Sequence, residues 1–226
     1  MIYYIIAKSQ HVLLNEEIHI TNWGIRLNMK KYSSNIKSMG LLYHETKKTA
    51  QLLIDGLTPE EVKAKAVQDN IFLLKTEKRR IEVAWKVLER LKVIDDYLLA
   101  KIATSNLGES KLLVLLTVIK TDKLFFEFMY EVFMEKLILR DYRITGMEFS
   151  SFFQRKSEQS DKVAGWSDRT YNDLATVYKK ILTEAGMGKE ENGNFKINKA
   201  VFNHDTVSDI NRSGDQAYLK VMTGGM

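Results

Sequence analysis

The sequence predicts an all-α protein: a helical globular fold with two helix-turn-helix-like elements and, around Asn192-Gly193, a choice between one small β wing and an irregular loop. Three features predict it. A single proline stands among 226 residues rich in Leu, Lys and Glu, so helix breakers are scarce. Apolar residues recur at three- and four-residue spacing through most of the chain beyond Ser38. Capping residues (Thr58, Thr76, Asp95, Thr121, Thr145 and Ser167) stand just ahead of such runs.

Residues 1–28 read differently. MIYYIIAKSQ is compatible with a strand, HVLLNEEIHITNWGIRLN holds no sustained helical period, and Met29-Lys30-Lys31 looks like a fresh start. The opening lacks a preceding basic region and a small-residue cleavage site, so it is a poor signal peptide. This stretch is expected to be a dispensable arm. The rest divides into residues 29–94, an N-terminal helix-turn-helix region, and 95–226, a helical region with a second such element.

From Ser38 a helix is expected to run to Ile54 with Leu41, Leu42, Thr49, Leu52 and Leu53 inward, closed by Gly56 as its C′ residue. Thr58, Pro59 and Glu61 then form a capping box with proline at the first helical position, and that helix reaches about Asp69. Thr76 opens a longer one, to about Lys92. On a helical wheel Ile81, Ala84, Trp85, Leu88 and Leu91 share the stripe expected to pack, while Lys75, Arg79, Lys86 and Arg90 lie opposite. Between Lys75 and Lys92 seven Lys or Arg face three Glu, a net cationic ridge. A short capped helix before a longer basic one is the form of a helix-turn-helix, although basic helix faces are more often merely solvated.

Asp95 is placed to cap a helix carrying Leu98, Leu99, Ile102 and Ala103, which Asn106-Leu107-Gly108 ends. A buried helix from Ser110 to Lys120 follows. Thr121 then opens DKLFFEFMYEVFMEKLIL, apolar on too many sides for a single stripe and hence the centre of the core. Thr145 caps a helix holding Phe149, Phe152 and Phe153, and RKSEQSDKVAG reads as a polar turn. Beyond Ser167, Tyr171, Leu174, Tyr178, Ile181 and Leu182 point inward, and Arg169, Asn172, Thr176 and Lys179 outward. Gly186 ends that helix, and HDTVSDINRS and QAYLKVM suggest short helices packing back on the body.

Composition and motifs narrow the function classes. A net charge of +5 and a pI near 9.1 favour polyanionic partners. Without cysteine there are no disulfides or thiolate metal sites, which fits a reducing cytoplasm. The longest aliphatic run, Leu112 to Leu116 extended to Ile119, is far short of the ~20 residues a membrane span requires. His11, His19, His44 and His204 match no ligand spacing, and the glycines at 186, 188 and 193 lack the setting of a phosphate loop. Glu61-Val62-Lys63 resembles the tail of a nuclease motif, but its capping box places it on a helix. No catalytic residue, metal or cofactor is assigned.

Three stretches resemble a known family: YSSNIKSMGLLYHETKKTAQLLIDGLTPEEV at 32–62, DNIFLLKTEKRR at 69–80, and WSDRTYNDLATVYKKILTEAGM at 166–187. Their order and spacing are similar to the BrxA family of bacteriophage exclusion (BREX) systems. The resemblance implies an all-helical, cytoplasmic, non-enzymatic protein that binds double-stranded DNA beside other BREX proteins, among them a methyltransferase and ATPases. Members often carry an inner-membrane label, which the short aliphatic run argues against. Carried onto this chain, the first basic helix supplies Lys75, Lys78, Arg79, Arg80, Lys86 and Arg90; the later one supplies Arg169 and Thr170, following Trp166-Ser167, with Asn172 and Lys179 on its outer face. The Lys-Arg-Ser/Thr run common before the first helix is here Lys75-Thr76-Glu77-Lys78-Arg79-Arg80, which leaves the register of its DNA contacts open. Two rivals stand beside a monomeric DNA-binding accessory protein: a helical scaffold bridging other defence components, and a transcriptional regulator that would need dimerisation.

Overall fold

A computed structural model describes residues 31–225, together with two paired two-residue strands, β1 (His19–Ile20) and β2 (Ile25–Arg26). The strand expected at residues 1–10 lies outside the described residues, and the arm lies outside them apart from that pair. The fold is mostly helical with a small three-stranded antiparallel sheet near its C-terminal end.

The N-terminal half is built from α1 (Ile36–Met39), α2 (Tyr43–Ile54), α3 (Pro59–Gln68), α4 (Glu77–Leu91), α5 (Asp96–Thr104) and α6 (Leu107–Thr121). The helix expected from Ser38 to Ile54 is broken in two. Gly40 and Leu42 take positive φ angles of 58° and 55°, and the turn drives Leu41 into the core. Gly56 does close α2, with φ 95° and the Leu57 amide donating to the Leu52 carbonyl. At α3 the capping box forms as read: the Glu61 amide donates to Thr58 Oγ1 and the Thr58 amide donates to the Glu61 carboxylate at 2.7 Å. Thr76 and Asp95 cap α4 and α5.

Two boundaries differ from the sequence reading. Asn106 opens α6 by accepting from the Glu109 amide at 3.1 Å, so the Asn-Leu-Gly stretch starts that helix as well as ending the one before. Asp122, one residue beyond the expected Thr121, caps the next helix through the Phe125 amide. The second is a choice between adjacent capping side chains, whereas the first moves the start of the helix from the expected Ser110 back to Leu107.

α6 is buried over most of its length and leads to α7 (Lys123–Phe128), a π-helical turn (Met129–Phe133) and α8 (Met134–Leu139), the expected core segment. After β3 (Arg143–Ile144) come α9 (Gly146–Gln159), α10 (Asp161–Ala164) and α11 (Asp168–Glu184). Thr145 and Glu148 form a second capping box at α9. The stretch read as a polar turn is mostly helix. α9 continues to Gln159 because Lys156, polar in the sequence, is buried between Glu127 at 2.8 Å and Glu131.

Aromatic rings join α7, α9 and α11. Phe128 stacks on Phe149 at 4.9 Å and meets Phe152 at 5.5 Å, and Tyr178 meets Phe125 at 4.8 Å. The hairpin at Asn192-Gly193 forms between β4 (Gly188–Glu191) and β5 (Asn194–Ile197); both turn residues have positive φ, as a two-residue type I′ turn needs. β5 lies between β3 and β4. Gly188 is required because a Cβ there would lie 2.3 Å from the Lys196 carbonyl oxygen and 2.6 Å from the Phe195 ring. α12 (His204–Arg212) and α13 (Gln216–Thr223) pack back as expected, and one hydrophobic cluster runs from Ile36 to Met222. Among the described residues no helix is long and apolar enough to cross a membrane.

Candidate nucleic-acid interface

The two basic helices singled out in the sequence differ sharply in where they place their charge. On α4 the buried arc is Val83, Ala84, Val87, Leu88, Arg90 and Leu91, so the packing face is turned about a quarter of a turn from the expected stripe. Trp85, expected inside, is 56% exposed, with Lys63 of α3 lying 3.3 Å from its ring centroid. Arg90, expected outside, is 1% exposed. The Val83–Val87–Leu91 spacing was the signal for this face.

Arg90 is held where the α1–α2 break leaves carbonyls without helical partners. Its Nη1 donates to the Leu41 carbonyl and its Nη2 to the Gly40 carbonyl, both at 2.8 Å. Burial pulls its pKa down to about 10, so it is still cationic at neutral pH. Arg80 donates to the Val67 and Leu74 carbonyls at 3.1 and 3.2 Å, clamping the end of α3 and the following loop. Arg79 donates to the Ser38 carbonyl and lies 3.5 Å from Glu82. Lys86 pairs with Glu89 at 3.1 Å. Lys75 and Lys78 remain exposed, with Lys78 at 4.0 Å from Glu82. The outer face of α4 therefore presents Lys78, Ile81, Glu82, Trp85 and Glu89. It borders an open cleft of about 680 Å³ lined in part by Met39, Pro59, Lys63, Trp85 and Leu88.

α11 keeps the expected arrangement. Ser167 caps it by accepting from the Thr170 amide at 3.3 Å, and Leu174, Tyr178, Ile181 and Leu182 are buried. Arg169, Asn172 and Thr176 are exposed on one side. Thr170 is half-buried, its hydroxyl 3.2 Å from that of Ser167, so its side chain belongs to the cap. Asp173 is turned to Lys37 of α1 at 3.4 Å, which takes one negative charge away from the outer row. Lys179 ends the row and is bonded to Glu190 of the β hairpin.

The hairpin adds lysines that sequence reasoning left out. Lys189 and Lys196 are direct cross-strand partners, and Glu191 accepts from both at 3.3 and 3.2 Å. Those two lysines hold the Glu191 carboxyl below the usual carboxylate range. The lysines flanking the Asn-Gly signal at alternate, outward strand positions were the cue. Among the described residues no group of three or more acidic or histidine side chains converges as a metal would need.

A capped helix with a polar outward face, backed by a three-stranded sheet, makes this a helical protein of winged architecture. The chain belongs to the BrxA family, whose model matches residues 30–214. It is similar to a "BREX protein BrxA" from Bacillus cereus (strain H3081.97), with 45% identity over 193 residues that cover 85% of this chain and 96% of that protein. The crystal structure of an uncharacterized protein from Magnetospirillum magneticum shares the fold with a TM-score of 0.71 at 19% identity, covering 86% of this chain and all of that one. The resemblance read from the three sequence stretches is thus borne out.

Proposed function

We propose that this chain is a non-enzymatic DNA-binding accessory protein of a BREX phage-defence system, with α11 as the element that meets the duplex. The observation that carries this reading is the row Arg169, Asn172, Thr176 and Lys179 on the outer face of a capped helix. The connectivity supports it: β3, α9, α10, α11 and a β4–β5 hairpin with strand order β3-β5-β4 is that of a winged helix-turn-helix. Family membership supports the defence setting and the reading that other BREX proteins are its partners, in the cytoplasm.

Lys and Arg at such a surface replace the counterions condensed on DNA, and Arg and Asn are suited to base edges in the major groove. Lys75 and Lys78 are the part of the first basic helix left to contribute phosphate contacts. Arg79, Arg80, Lys86 and Arg90 are assigned to holding the scaffold. One face per monomer suffices for this role, whereas a transcriptional regulator would need a second copy to double the site.

The test is a titration of the whole protein against unrelated duplexes at two salt concentrations. Log K is expected to fall by about 0.9 per phosphate neutralised for each decade of salt. A flat response would overturn the reading. A helical scaffold is a second reading, favoured by exposed Trp85 beside its cleft, since tryptophan is enriched among residues that anchor protein interfaces. In that case Trp85→Ala would weaken co-purification with other BREX proteins and leave the DNA titration unchanged.

A further inference from the structure

Three lysines at the α11–hairpin face, Lys179, Lys189 and Lys196, are each held by a carboxylate from the hairpin, while exposed Lys180 of α11 pairs with Glu184 of its own helix at 3.8 Å. Glu190 reaches across to Lys179 of α11, and Glu191 holds both Lys189 and Lys196. The strand register separates the two roles. Glu190 is the cross-strand partner of buried Phe195, so it stands on the side of the hairpin turned toward α11; Glu191 stands on the opposite side with the two lysines. Lysines placed directly opposite repel each other, and Glu191 offsets that repulsion within the wing. Glu190 has no such duty. It is exposed, its β4 neighbours on either side have other partners, and its bonded cation belongs to another element.

We propose that Glu190 acts as an intramolecular stand-in for a DNA phosphate, occupying Lys179 until a closely spaced polyanion displaces it. This rests on the reading of α11 as the DNA-binding helix and adds how that surface sets its affinity. An exposed ion pair contributes little to stability and so exchanges readily. One isolated negative group gains little by displacing Glu190, since it exchanges one pairing for another. A duplex offers many phosphates at once, so it can bear the displacement while also reaching Arg169. The freed carboxylate takes up a cation from solution, which reduces the net counterion release on binding.

The experiment compares wild type, Glu190→Gln, Lys179→Gln and the double variant against a short duplex of unrelated sequence at several salt concentrations. Asp205→Asn, at an exposed acid on α12, controls for net charge. Glu190→Gln is expected to tighten binding about 3- to 10-fold, as removal of one nearby like charge should. It should also steepen the slope of log K against log salt by about one. The melting midpoint should stay the same. In the Lys179→Gln background most of the gain should disappear. Wild-type binding with no change in Glu190→Gln overturns the inference while leaving the DNA reading intact. An equal gain from Asp205→Asn, or an undiminished gain without Lys179, also overturns it. Absence of DNA binding by wild type and variants alike removes the DNA reading, and this inference with it.

Discussion

The regions around α4 and α11 read much alike in sequence, each a capped helix that follows a shorter one and carries several cations. Their structures use those cations in opposite ways. In α4 the guanidinium groups of Arg79, Arg80 and Arg90 turn onto backbone carbonyls of Ser38, Val67, Leu74, Gly40 and Leu41. In α11 the one arginine points to solvent, and buried contacts are left to Leu174, Tyr178, Ile181 and Leu182. The difference lies in what each helix packs against. α4 sits against broken backbone, the α1–α2 turn and the α3–α4 loop, where carbonyls need donors. α11 sits against rings, the hairpin and α1, and the Val163 carbonyl ahead of it is met by the Tyr171 hydroxyl at 2.7 Å, so no cation is drawn inward. Cation count along a helix therefore says little about its partner until the unpaired backbone nearby has been counted.

The largest expected effect that tests this contrast is on stability. Arg90→Ala leaves two carbonyls short of a donor at a buried site and opens a cavity, together about 3–5 kcal/mol. That corresponds to a fall of roughly 10 °C in the melting midpoint for a chain of this size. A loss of under ~1 kcal/mol would show that Arg90 does not secure the α1–α2 turn.

Next comes the opposite behaviour in α11. Arg169→Ala combined with Asn172→Ala is expected to lower duplex affinity by roughly 1–3 kcal/mol with the melting midpoint unchanged, because both side chains are exposed. Calorimetry and a DNA titration on the same sample separate the two. A drop in melting temperature with intact DNA binding would make α11 the structural helix and reverse the comparison.

The contrast also marks what the sequence could disclose. Caps at Thr58, Thr76, Asp95, Thr145 and Ser167 were legible because each is decided within four residues. The Asn192-Gly193 hairpin was legible as one of two options because its turn requires those residue types. The break at Gly40 was not, since an isolated glycine is tolerated within helices and its stabilising partner, Arg90, lies 50 residues away. Likewise, Lys156 hid the end of α9, for nothing local announces that a lysine will be buried between Glu127 and Glu131. The α11 face was read correctly because its inner stripe is unbroken, whereas Trp85 drew the α4 stripe toward itself and away from the two valines.

Trp85 gives a smaller effect that sharpens this last point. Were the ring fully buried, Trp85→Ala would cost about 3–5 kcal/mol. With the ring 56% exposed and held mainly under Lys63, the loss expected from chemical denaturation is about 1 kcal/mol or less. A loss in the higher range would restore the packing face expected from the wheel.

The smallest effect compares the two capping boxes, one in each region. The Glu61 carboxyl at α3 is lowered chiefly by the Thr58 backbone amide, and it is otherwise solvent-exposed. At α9, partial burial pushes the Glu148 carboxyl up, but bonds from Lys136 and from Thr145 outweigh it and the net shift is downward. A carboxyl depressed in the folded state stabilises the fold fully above its unfolded pKa, about 4.5 here, and that contribution is lost as pH falls through the lower folded value. Stability should therefore decline on acidification below about pH 4.5, and Glu148→Gln should flatten that decline. Glu61→Gln should flatten it less, because Lys136 is bonded directly to Glu148, whereas Lys65 acts on the fully exposed Glu61 carboxyl only through space. Melting midpoints followed from neutral to acidic pH for the two single variants decide the matter. Equal flattening would mean that Lys136 adds nothing to the α9 cap, leaving the two boxes equivalent despite their different surroundings.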